Sequence, residues 1–377
     1  MTLLLTLFFP VIGTALTLAA ALYAIAALLC RGPVQAFPAV DPVPVTVLKP
    51  LCGPEPRLED NLATFCIQTH PHYQLVFGVR DPLDPAIAVV ERLARRFPTL
   101  DMQLVVDPRV HGSNLKVSNL INMMGAARHP WLVLADSDIA VAPDYLERVT
   151  APLADPGVGI VTCLYRGRAQ CGFWARLGGG FIDTWFLPSV RVANSVGNTA
   201  FGFGATIALR AATLRAAGGF AALKDRLADD CRLGELTRRL HLRTVLSEVV
   251  VSTDVTEDSL RALWSRERRW MQTIRSLEPL GYGFAFVTFT LPMLALGLWL
   301  APGAGNAAVA LAGAGARLGL HWRRPAPDLP RPGPHLRYLA YAPLRDCLLL
   351  LEWLGAFAGS TTRWRRQLLR VDTRKAS

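Results

Sequence analysis

Trp131-Leu-Val-Leu-Ala-Asp136-Ser-Asp138 joins a short apolar run to two carboxylates that stand one residue apart. An apolar run that ends this abruptly is typical of a buried strand. Paired carboxylates at a strand end can hold a hard divalent cation, and such a cation can bind a diphosphate. An Asp-rich turn that caps the following helix is the structural alternative. The stretch by itself leaves both interpretations open.

On either side of this stretch, short β-branched runs alternate with helical stretches. The predicted strands are 45–48, 75–79, 103–106, 131–135 and 158–164, and the predicted helices lie near 58–69, 85–97 and 115–128. This alternation is typical of an α/β fold with a mostly parallel sheet that is covered by helices on both faces. In such sheets, ligands bind beyond the carboxyl ends of the strands.

Polar residues follow the predicted strands at the ends where a ligand would bind. They are Lys49 after the first strand, Asp81 and Asp84 after the second, and Asp136 and Asp138 after the strand quoted above. A strand end with only a structural role more often carries Gly, Asn or Pro. We therefore expect these five side chains to face one ligand.

A second acidic motif, Asp229-Asp230, opens a predicted helix much farther along the chain. Acids in a first helical turn often do no more than complement the helix dipole. Two acidic sites in one cleft could also have two different chemical roles. One site would bind a metal, and the other would accept a proton from an acceptor hydroxyl.

A basic and aromatic motif, Arg266-Glu-Arg-Arg269-Trp270, precedes a strongly apolar region. Arginine side chains can pair with phosphate oxygens in a bidentate manner. A tryptophan offers a flat face to a sugar or an anchor in a membrane interface. Taken alone, the motif favours a basic patch beside a membrane.

Apolar segments near both ends of the chain predict contact with lipid. Of the 377 residues, 51% are hydrophobic, and the mean hydropathy is +0.29. Residues 3–30 form an uncharged run that exceeds the ~20 residues needed by a spanning helix. We interpret this run as a retained anchor, because a secretory signal usually has a basic residue ahead of a shorter apolar core. Residues 284–300 and 307–320 predict a transmembrane hairpin.

The apolar segment 338–359 differs from the others because it carries Arg345, Asp346 and Glu352, which are costly in mid-bilayer. We expect it to lie at the interface or to re-enter the membrane, which gives three full crossings with the amino terminus outside. Much of the net charge of +11 flanks apolar segments, which indicates a cytoplasmic face and argues against a nucleic-acid partner. Seven cysteines without a CxxC pair argue against a zinc site.

The order of these motifs resembles that of lipid-directed glycosyltransferases of families 2 and 21, which have a GT-A fold. Within this group, the chain is most similar to ceramide glucosyltransferases and their bacterial relatives in hopanoid biosynthesis. Asp138 favours the bacterial branch, because the ceramide enzymes have a sequence more like Asp-Ser-Gly at this strand end. The resemblance runs from the anchor to the tail through Val47-Leu-Lys49-Pro-Leu-Cys-Gly53, Val79-Arg-Asp81-Pro-Leu-Asp84-Pro85-Ala-Ile, His111-Gly-Ser-Asn114-Leu-Lys116-Val-Ser-Asn119-Leu, Ala217-Gly-Gly-Phe220 and Arg363-Trp-Arg-Arg.

This resemblance implies a donor site for a UDP-sugar. Asp84, with Asp81 as the competing candidate, would bind the uracil or ribose. Asp136 and Asp138 would bind Mg²⁺ or Mn²⁺ and the diphosphate. Lys49 and Lys116 are candidate phosphate or nucleotide contacts, with a solvated surface charge as the alternative for either lysine.

The resemblance also implies how the acceptor reacts. Asp230 would be the catalytic base, and Arg266, Arg269 and Trp270 would close over the pyrophosphate and acceptor. The glycine-rich residues 201–206 resemble a loop on the acceptor side, and a turn before a helix near Ala211 is the alternative.

The implied organisation has five segments: a transmembrane anchor 1–31, a linker 32–44, a cytoplasmic GT-A domain 45–280, a transmembrane hairpin 281–322, and a basic loop, interfacial or re-entrant segment and basic tail 323–377. The implied location is a bacterial inner membrane. The implied reaction is inverting transfer to a lipid hydroxyl, most specifically of N-acetylglucosamine from UDP-GlcNAc to bacteriohopanetetrol. Glucosylation of ceramide from UDP-glucose is one alternative, and an inactive membrane scaffold is another. The oligomeric state stays open.

Overall fold

The computed structural model describes residues 2–32, 37, 41–322, 339–359, 361–364 and 367–370. The chain forms two compact units. The sheet unit comprises Pro33–Arg168 and Gly197–Asp254, and the helical unit comprises Met1–Gly32, Ala169–Val196 and Val255–Ser377. The predicted domain 45–280 is therefore divided, because residues 169–196 and 255–280 pack with the apolar helices.

The strands are β1 (Val45–Pro50), β2 (Tyr73–Val79), β3 (Met102–Val106), β4 (Trp131–Ala135), β5 (Ile139–Ala140), β6 (Val158–Ala169), β7 (Thr206–Arg210), β8 (Arg243–Val255), β9 (Thr361–Trp364) and β10 (Gln367–Arg370). The helices are α1 (Thr2–Leu29), α2 (Leu58–Phe65), α3 (Ala86–Arg96), α4 (Leu115–Met123), α5 (Tyr145–Thr150), α6 (Phe173–Phe181), α7 (Leu187–Ser195), α8 (Ala211–Ala216), α9 (Asp229–Arg239), α10 (Leu260–Leu277), α11 (Pro279–Phe284), α12 (Thr290–Leu300), α13 (Ala304–Gly319) and α14 (Tyr341–Gly355).

An eight-stranded sheet in the order β3-β2-β1-β4-β7-β6-β8-β5 forms the centre of the sheet unit. The strands β3, β2, β1 and β4 pair in parallel, whereas β7 is antiparallel to both β4 and β6. The predicted α/β fold is confirmed, but the sheet is mixed, because β7 runs antiparallel to both of its neighbours and β5 pairs antiparallel with β8. The chain order changes direction between β1 and β4, and ligands bind at such switch points.

Apolar packing against α4 fixes the sheet from one face. Leu48, Val76 and Leu134 belong to a buried core cluster that also contains Val117 and Leu120 of α4. Each such side chain stabilises the fold by roughly 1.5–3 kcal/mol relative to an exposed position. The helix α4 begins where the Asn114 side chain accepts a hydrogen bond from the main-chain N–H of Val117.

In the helical unit, α1 packs against α12 and α13 through small residues. An added Cβ on Gly13 would lie 2.8 Å from the Cβ of Ala301, and one on Gly313 would lie 2.8 Å from the Cβ of Ala21. Large apolar side chains of α1, such as Leu22, are exposed instead. Small residues inside and large apolar residues outside are typical of helices that pack within a membrane.

Length and composition identify membrane-spanning candidates among the described residues. One of the described helices is long and apolar enough to cross a membrane, the Phe8–Leu29 part of α1. A second candidate consists of two helical segments joined at a bend of 73°, Pro279–Thr288 and Thr290–Leu300, and it meets the criteria only if both segments count as one span. The helices α12 and α13 occupy the predicted hairpin with 11 and 16 residues. Both are shorter than the ~20 residues of a typical span, so the hairpin stays a prediction.

The charged side chains of the segment 338–359 are buried within the protein. Arg345, Asp346 and Glu352 lie on α14, and all three are at most 2% exposed. Their cost in lipid, which motivated the interfacial prediction, is offset by internal ion pairs. The predicted basic loop 323–338 and the tail beyond Arg370 lie outside the described residues.

Candidate active site

A buried lysine supports the turn that follows β4. The side chain of Lys49, at the end of β1, is 0% exposed, and its Nζ donates a hydrogen bond to the main-chain oxygen of Asp136. The ammonium also lies 4.0 Å from the ring centre of Phe65. Burial lowers the pKa of Lys49 to about 7, against the opposing effect of Asp138 and Asp136. Lys49 is thus not a solvated surface charge.

A third acidic side chain, Glu55, lies close to the Asp136-Ser-Asp138 turn. Ser137 donates a hydrogen bond to Glu55 over 2.8 Å, and Thr253 donates one to Asp138 over 2.9 Å. Burial, reinforced by Asp136 and Glu55, raises the pKa of Asp138 to about 7. Glu55, in the loop after β1, lies beside this turn, and no sequence motif indicated it.

Lys116 connects the two acidic motifs. Its Nζ lies 2.6 Å from Oδ1 of Asp136. Burial alone would lower the pKa of Lys116, but Asp136, Asp229 and Asp230 outweigh it and raise the pKa above its ordinary value. Asn114, at the start of the same helix, donates to Asp229 over 3.4 Å. The structure therefore brings together the acids after β4 and the acids at the start of α9.

Two main-chain N–H groups hold the carboxylate of Asp230. Gly204 donates to Oδ2 over 2.7 Å, and Cys231 donates to Oδ1 over 2.8 Å. An added Cβ on Gly204 would lie 3.2 Å from Asp230 Oδ2 and 3.3 Å from Lys116 Nζ. The glycine-rich loop therefore contacts the predicted base directly, and its close approach favours glycine at residue 204.

The pKa of the Asp230 carboxyl group lies close to neutral pH. Burial, together with Asp229, raises the pKa of Asp230 to about 6, against the opposing effect of Lys116. A carboxylate whose pKa lies near the working pH can accept a proton and still be ionised when the substrate binds. The raised pKa thus suits Asp230 for the predicted role of general base.

The two acids after β2 differ in their surroundings. The carboxylate of Asp84 accepts hydrogen bonds from the N–H groups of Gly53, over 2.9 and 3.1 Å, and of Ala86, over 2.9 Å. Asp81 is exposed, and its Oδ1 accepts from the N–H of Leu83 over 2.9 Å. Asp84 therefore joins the loop after β1 to the start of α3, whereas Asp81 faces solvent.

The basic motif lies on α10 in the helical unit. Arg266 pairs with Glu257 over 2.8 Å, and its guanidinium carbon lies 5.4 Å from the ring centre of Trp270. Trp270 itself packs on Phe181 and Phe186, with ring centres 5.5 and 5.7 Å apart. Arg269 is half-buried one turn after Arg266. Arg266 and Trp270 thus form part of an aromatic and ionic cluster within their own unit.

The acids after β4 have the chemistry of a site for a divalent cation. The described residues contain no group of three or more His, Cys, Asp or Glu side chains arranged for a metal. Mg²⁺ is nevertheless often held by one or two carboxylates while substrate phosphates and water complete its shell. Burial, together with repulsion from Asp136 and Glu55, raises the pKa of Asp138, and a bound cation would relieve that repulsion.

Curated proteins with similar sequences are ceramide glucosyltransferases. The chain is 24% identical to ceramide glucosyltransferase 1 of Caenorhabditis elegans over 236 residues, which cover 62% of this chain and 50% of the relative. It is 31% identical to the ceramide glucosyltransferase of Komagataella phaffii over 108 residues, or 28% of this chain and 21% of that one. The chain thus spans at most about half the length of these curated relatives.

Among solved structures, the mannosyltransferase PcManGT from Pyrobaculum calidifontis, in complex with GDP-Man and Mn²⁺, has a similar fold. It superposes with a TM-score of 0.58 at 20% sequence identity over 93% of this chain and 99% of that chain. This likeness confirms the predicted GT-A fold. The sequence model of glycosyl transferase family 21 matches residues 11–377. Since this match covers nearly the whole sequence, the chain belongs to glycosyl transferase family 21.

Proposed function

We propose that this chain is an inverting glycosyltransferase that moves a sugar from a UDP-sugar to a hydroxyl group of a membrane lipid. The observation that carries the proposal is the cluster around Lys116. Its ammonium pairs with Asp136, a predicted metal ligand. Against the effect of burial, its pKa is raised by Asp136, by Asp229 and by Asp230, the predicted base. A donor site and a base in one cluster are what a direct displacement needs.

The donor would bind at the carboxyl ends of β1, β2 and β4. Asp136 and Asp138 would hold Mg²⁺ or Mn²⁺, which neutralises charge on the diphosphate when bound. Lys49 fixes the main chain of the metal-binding turn, and Lys116 would contact a phosphate. Of the acids after β2, Asp81 offers the more exposed carboxylate to the nucleotide, whereas Asp84 holds the surrounding loop.

Asp230 would take the proton from the lipid hydroxyl. The hydroxyl oxygen then forms a bond to the anomeric carbon while the bond from that carbon to the UDP oxygen breaks on the opposite side. One such displacement inverts the anomeric configuration and yields a β-glycoside from an α-linked donor. Arg266, Arg269 and Trp270 would stabilise the negative charge that develops on the departing pyrophosphate.

The most specific form of the proposal is transfer of N-acetylglucosamine from UDP-GlcNAc to bacteriohopanetetrol in a bacterial inner membrane, with the sheet unit facing the cytoplasm. The second candidate is transfer of glucose from UDP-glucose to ceramide, which the curated relatives favour. Purified protein in lipid vesicles, given each labelled donor with each lipid, distinguishes the two. A labelled hopanoid supports the first candidate, and labelled ceramide the second.

Replacing the base tests the enzymatic role. We expect Asp230→Asn to bind UDP-sugar and Mn²⁺ like the wild type, measured by calorimetry, because the donor site keeps its charges after β4. Transfer should fall by a factor of about 10² or more, since the amide cannot accept the proton. Wild-type turnover by this variant would refute the assignment of the base. Absence of transfer by the wild type with every donor and lipid pair would favour the inactive scaffold.

Removing the cation tests the role of Asp136 and Asp138. We expect EDTA to abolish transfer and Mg²⁺ or Mn²⁺ to restore it, because the diphosphate would otherwise face repelling carboxylates. Calorimetric titration with Mn²⁺ in the presence of UDP gives a readout apart from activity. Asp138→Asn should weaken this binding, whereas Asp60→Asn, a change of an exposed acid on α2, should not. Full activity in EDTA would exclude the metal role.

A further inference from the structure

Buried charges join α10 to α14 inside the helical unit. Nη2 of Arg345 lies 2.7 Å from Oε2 of Glu267 and 2.8 Å from Oε2 of Glu352. The three side chains are 2%, 0% and 0% exposed. The guanidinium carbon of Arg345 also lies 5.6 Å from the ring centre of Phe181. One buried guanidinium therefore contacts two buried carboxyl groups, and Oε1 of Glu267 also lies 3.9 Å from Nη2 of Arg266.

Such a cluster is poorly explained by stability alone. Taking charges out of water costs free energy, and apolar residues of similar volume often stabilise a fold equally well. Buried ion pairs are best known for fixing the register of one element against another. Here the ion pair joins α14 to the part of α10 that carries the motif Arg266-Glu-Arg-Arg269-Trp270, because Glu267 is the second residue of that motif.

Further contacts hold α10 along its length. Arg268 donates to the main-chain oxygen of Gly355 over 3.1 Å, and Arg275 donates to the oxygens of Phe357 and Gly359, each over 2.9 Å. Gly355 is the last residue of α14, so Arg268 contacts a carbonyl group at the helix end, whereas Arg275 contacts the main chain that follows the helix. The contacts of Arg268 and Arg275 limit sliding, and the contact of Glu267 limits rotation about the axis of α10.

The residue after Arg345 connects α14 in another direction. Asp346 pairs with Arg317 of α13 over 2.6 Å and accepts a hydrogen bond from the N–H of Leu291, in α12, over 3.1 Å. Arg317 also donates to Thr184 over 3.2 Å. The helix α14 thus ties α10 to the apolar helices of the same unit.

We infer that Arg345 is a positioning residue that, through Glu267, sets the rotation of α10 and so the directions of Arg266, Arg269 and Trp270. Successive residues of a helix point about 100° apart, so one anchored side chain fixes its neighbours. The inference depends on the proposed function only for the role of this motif in transfer. The link between Arg345 and α10 can be tested without any transfer.

The first measurement is hydrogen exchange of the full-length protein in lipid nanodiscs. We expect Arg345→Met to speed amide exchange in α10, because the helix loses its anchor and retains two buried carboxylates. Arg345→Lys keeps the charge and should show a smaller change. The matched control is Arg92→Met, which breaks an exposed Arg–Glu pair of the sheet unit. Unchanged exchange in α10 of Arg345→Met overturns the inference, whether or not the protein transfers sugar.

The second measurement is kinetic. We expect Arg345→Met to lower kcat about tenfold or more while the donor KM changes less than about threefold, with partial rescue in Arg345→Lys. In an Arg269→Met background, the same change should lower kcat by a smaller factor than it does in the wild type, because Arg345 acts partly through Arg269. Equal losses in both backgrounds would indicate a merely structural role and overturn the inference. If Arg345→Met does not fold, Arg345→Lys and Glu352→Gln replace it in both measurements.

Discussion

Asp230 shows how the main chain adjusts a single carboxylate. The N–H groups of Gly204 and Cys231 hold both of its oxygens, which favours the ionised form. Burial and Asp229 act in the opposite direction and prevail, so the pKa lies above its ordinary value. The outcome is a carboxylate that is ionised at neutral pH and only partly exposed.

The pH dependence of transfer follows from this pKa. Since Asp230 titrates at about 6 in the free protein, kcat/KM should be level above pH 7 and fall about tenfold per unit below pH 6. The fall comes at low pH because the protonated carboxyl cannot accept the acceptor proton. Saturating Mn²⁺, bound by Asp136 and Asp138 as proposed, would keep Asp138 ionised during the measurement. A level profile from about pH 5 to pH 8 would contradict the prediction.

Single residues differ in how far the sequence reveals them. Asp136, Asp138 and Asp230 could be predicted, because a strand end or a helix start exposes an acid in a recognisable pattern. The burial of Lys49 and the contribution of Glu55 could not, because both depend on neighbours from other strands and loops. The hydrogen bond from Gly204 to Asp230 likewise joins segments whose contact appears only in the folded chain.

At the scale of elements, close packing of α1 against α12 depends on glycine. A Cβ added to Gly297 would lie 2.2 Å from Oγ1 of Thr17 and 2.8 Å from the main-chain oxygen of Gly13. Gly13 lies against Ala301 and Thr17 lies against Gly297, so α12 runs antiparallel to α1. An apolar helix with a larger side chain at this position could not approach so closely.

Two alanine substitutions test this packing. Gly297→Ala should destabilise the protein by about 1–3 kcal/mol, because the added methyl overpacks the contact with Thr17. Gly315→Ala, on α13, is the matched control, since its Cβ meets no atom within 4 Å. The control should be neutral or slightly stabilising, because alanine favours a helix. Thermal unfolding in detergent measures both, and equal midpoints for the two variants would disprove the packing role.

The elements themselves were only partly predictable. Alternating apolar and helical stretches revealed β1 to β4 with α2 to α4, because a crossover helix follows each of β1, β2 and β3. The antiparallel direction of β7 could not be predicted, since an apolar strand has the same sequence pattern in either direction. The strand itself, Thr206–Arg210, lies where the sequence indicated only a glycine-rich loop before a helix.

At the scale of the whole molecule, the chain enters the helical unit three times. The segments Met1–Gly32, Ala169–Val196 and Val255–Ser377 all belong to it. The middle segment contains the π-helical turn Ile182–Phe186, which brings Phe181 and Phe186 to Trp270. Sequence order predicted a single uninterrupted catalytic domain, because an insertion that packs on distant helices has no local signal.

The orientation of the chain in the membrane can be measured from its own cysteines. Cys52, in the loop after β1, is exposed and free, and Arg31 follows the apolar end of α1. Basic residues mark the cytoplasmic end of a span, so we expect the sheet unit on that side. In a variant that retains only Cys52, an impermeant maleimide should label inverted vesicles and spare right-side-out vesicles. A variant whose single cysteine is introduced by Thr2→Cys should instead be labelled in right-side-out vesicles and spared in inverted vesicles. Labelling of Cys52 from outside would contradict the proposed access to a cytoplasmic UDP-sugar, because the proposed donor site lies in the same unit as Cys52.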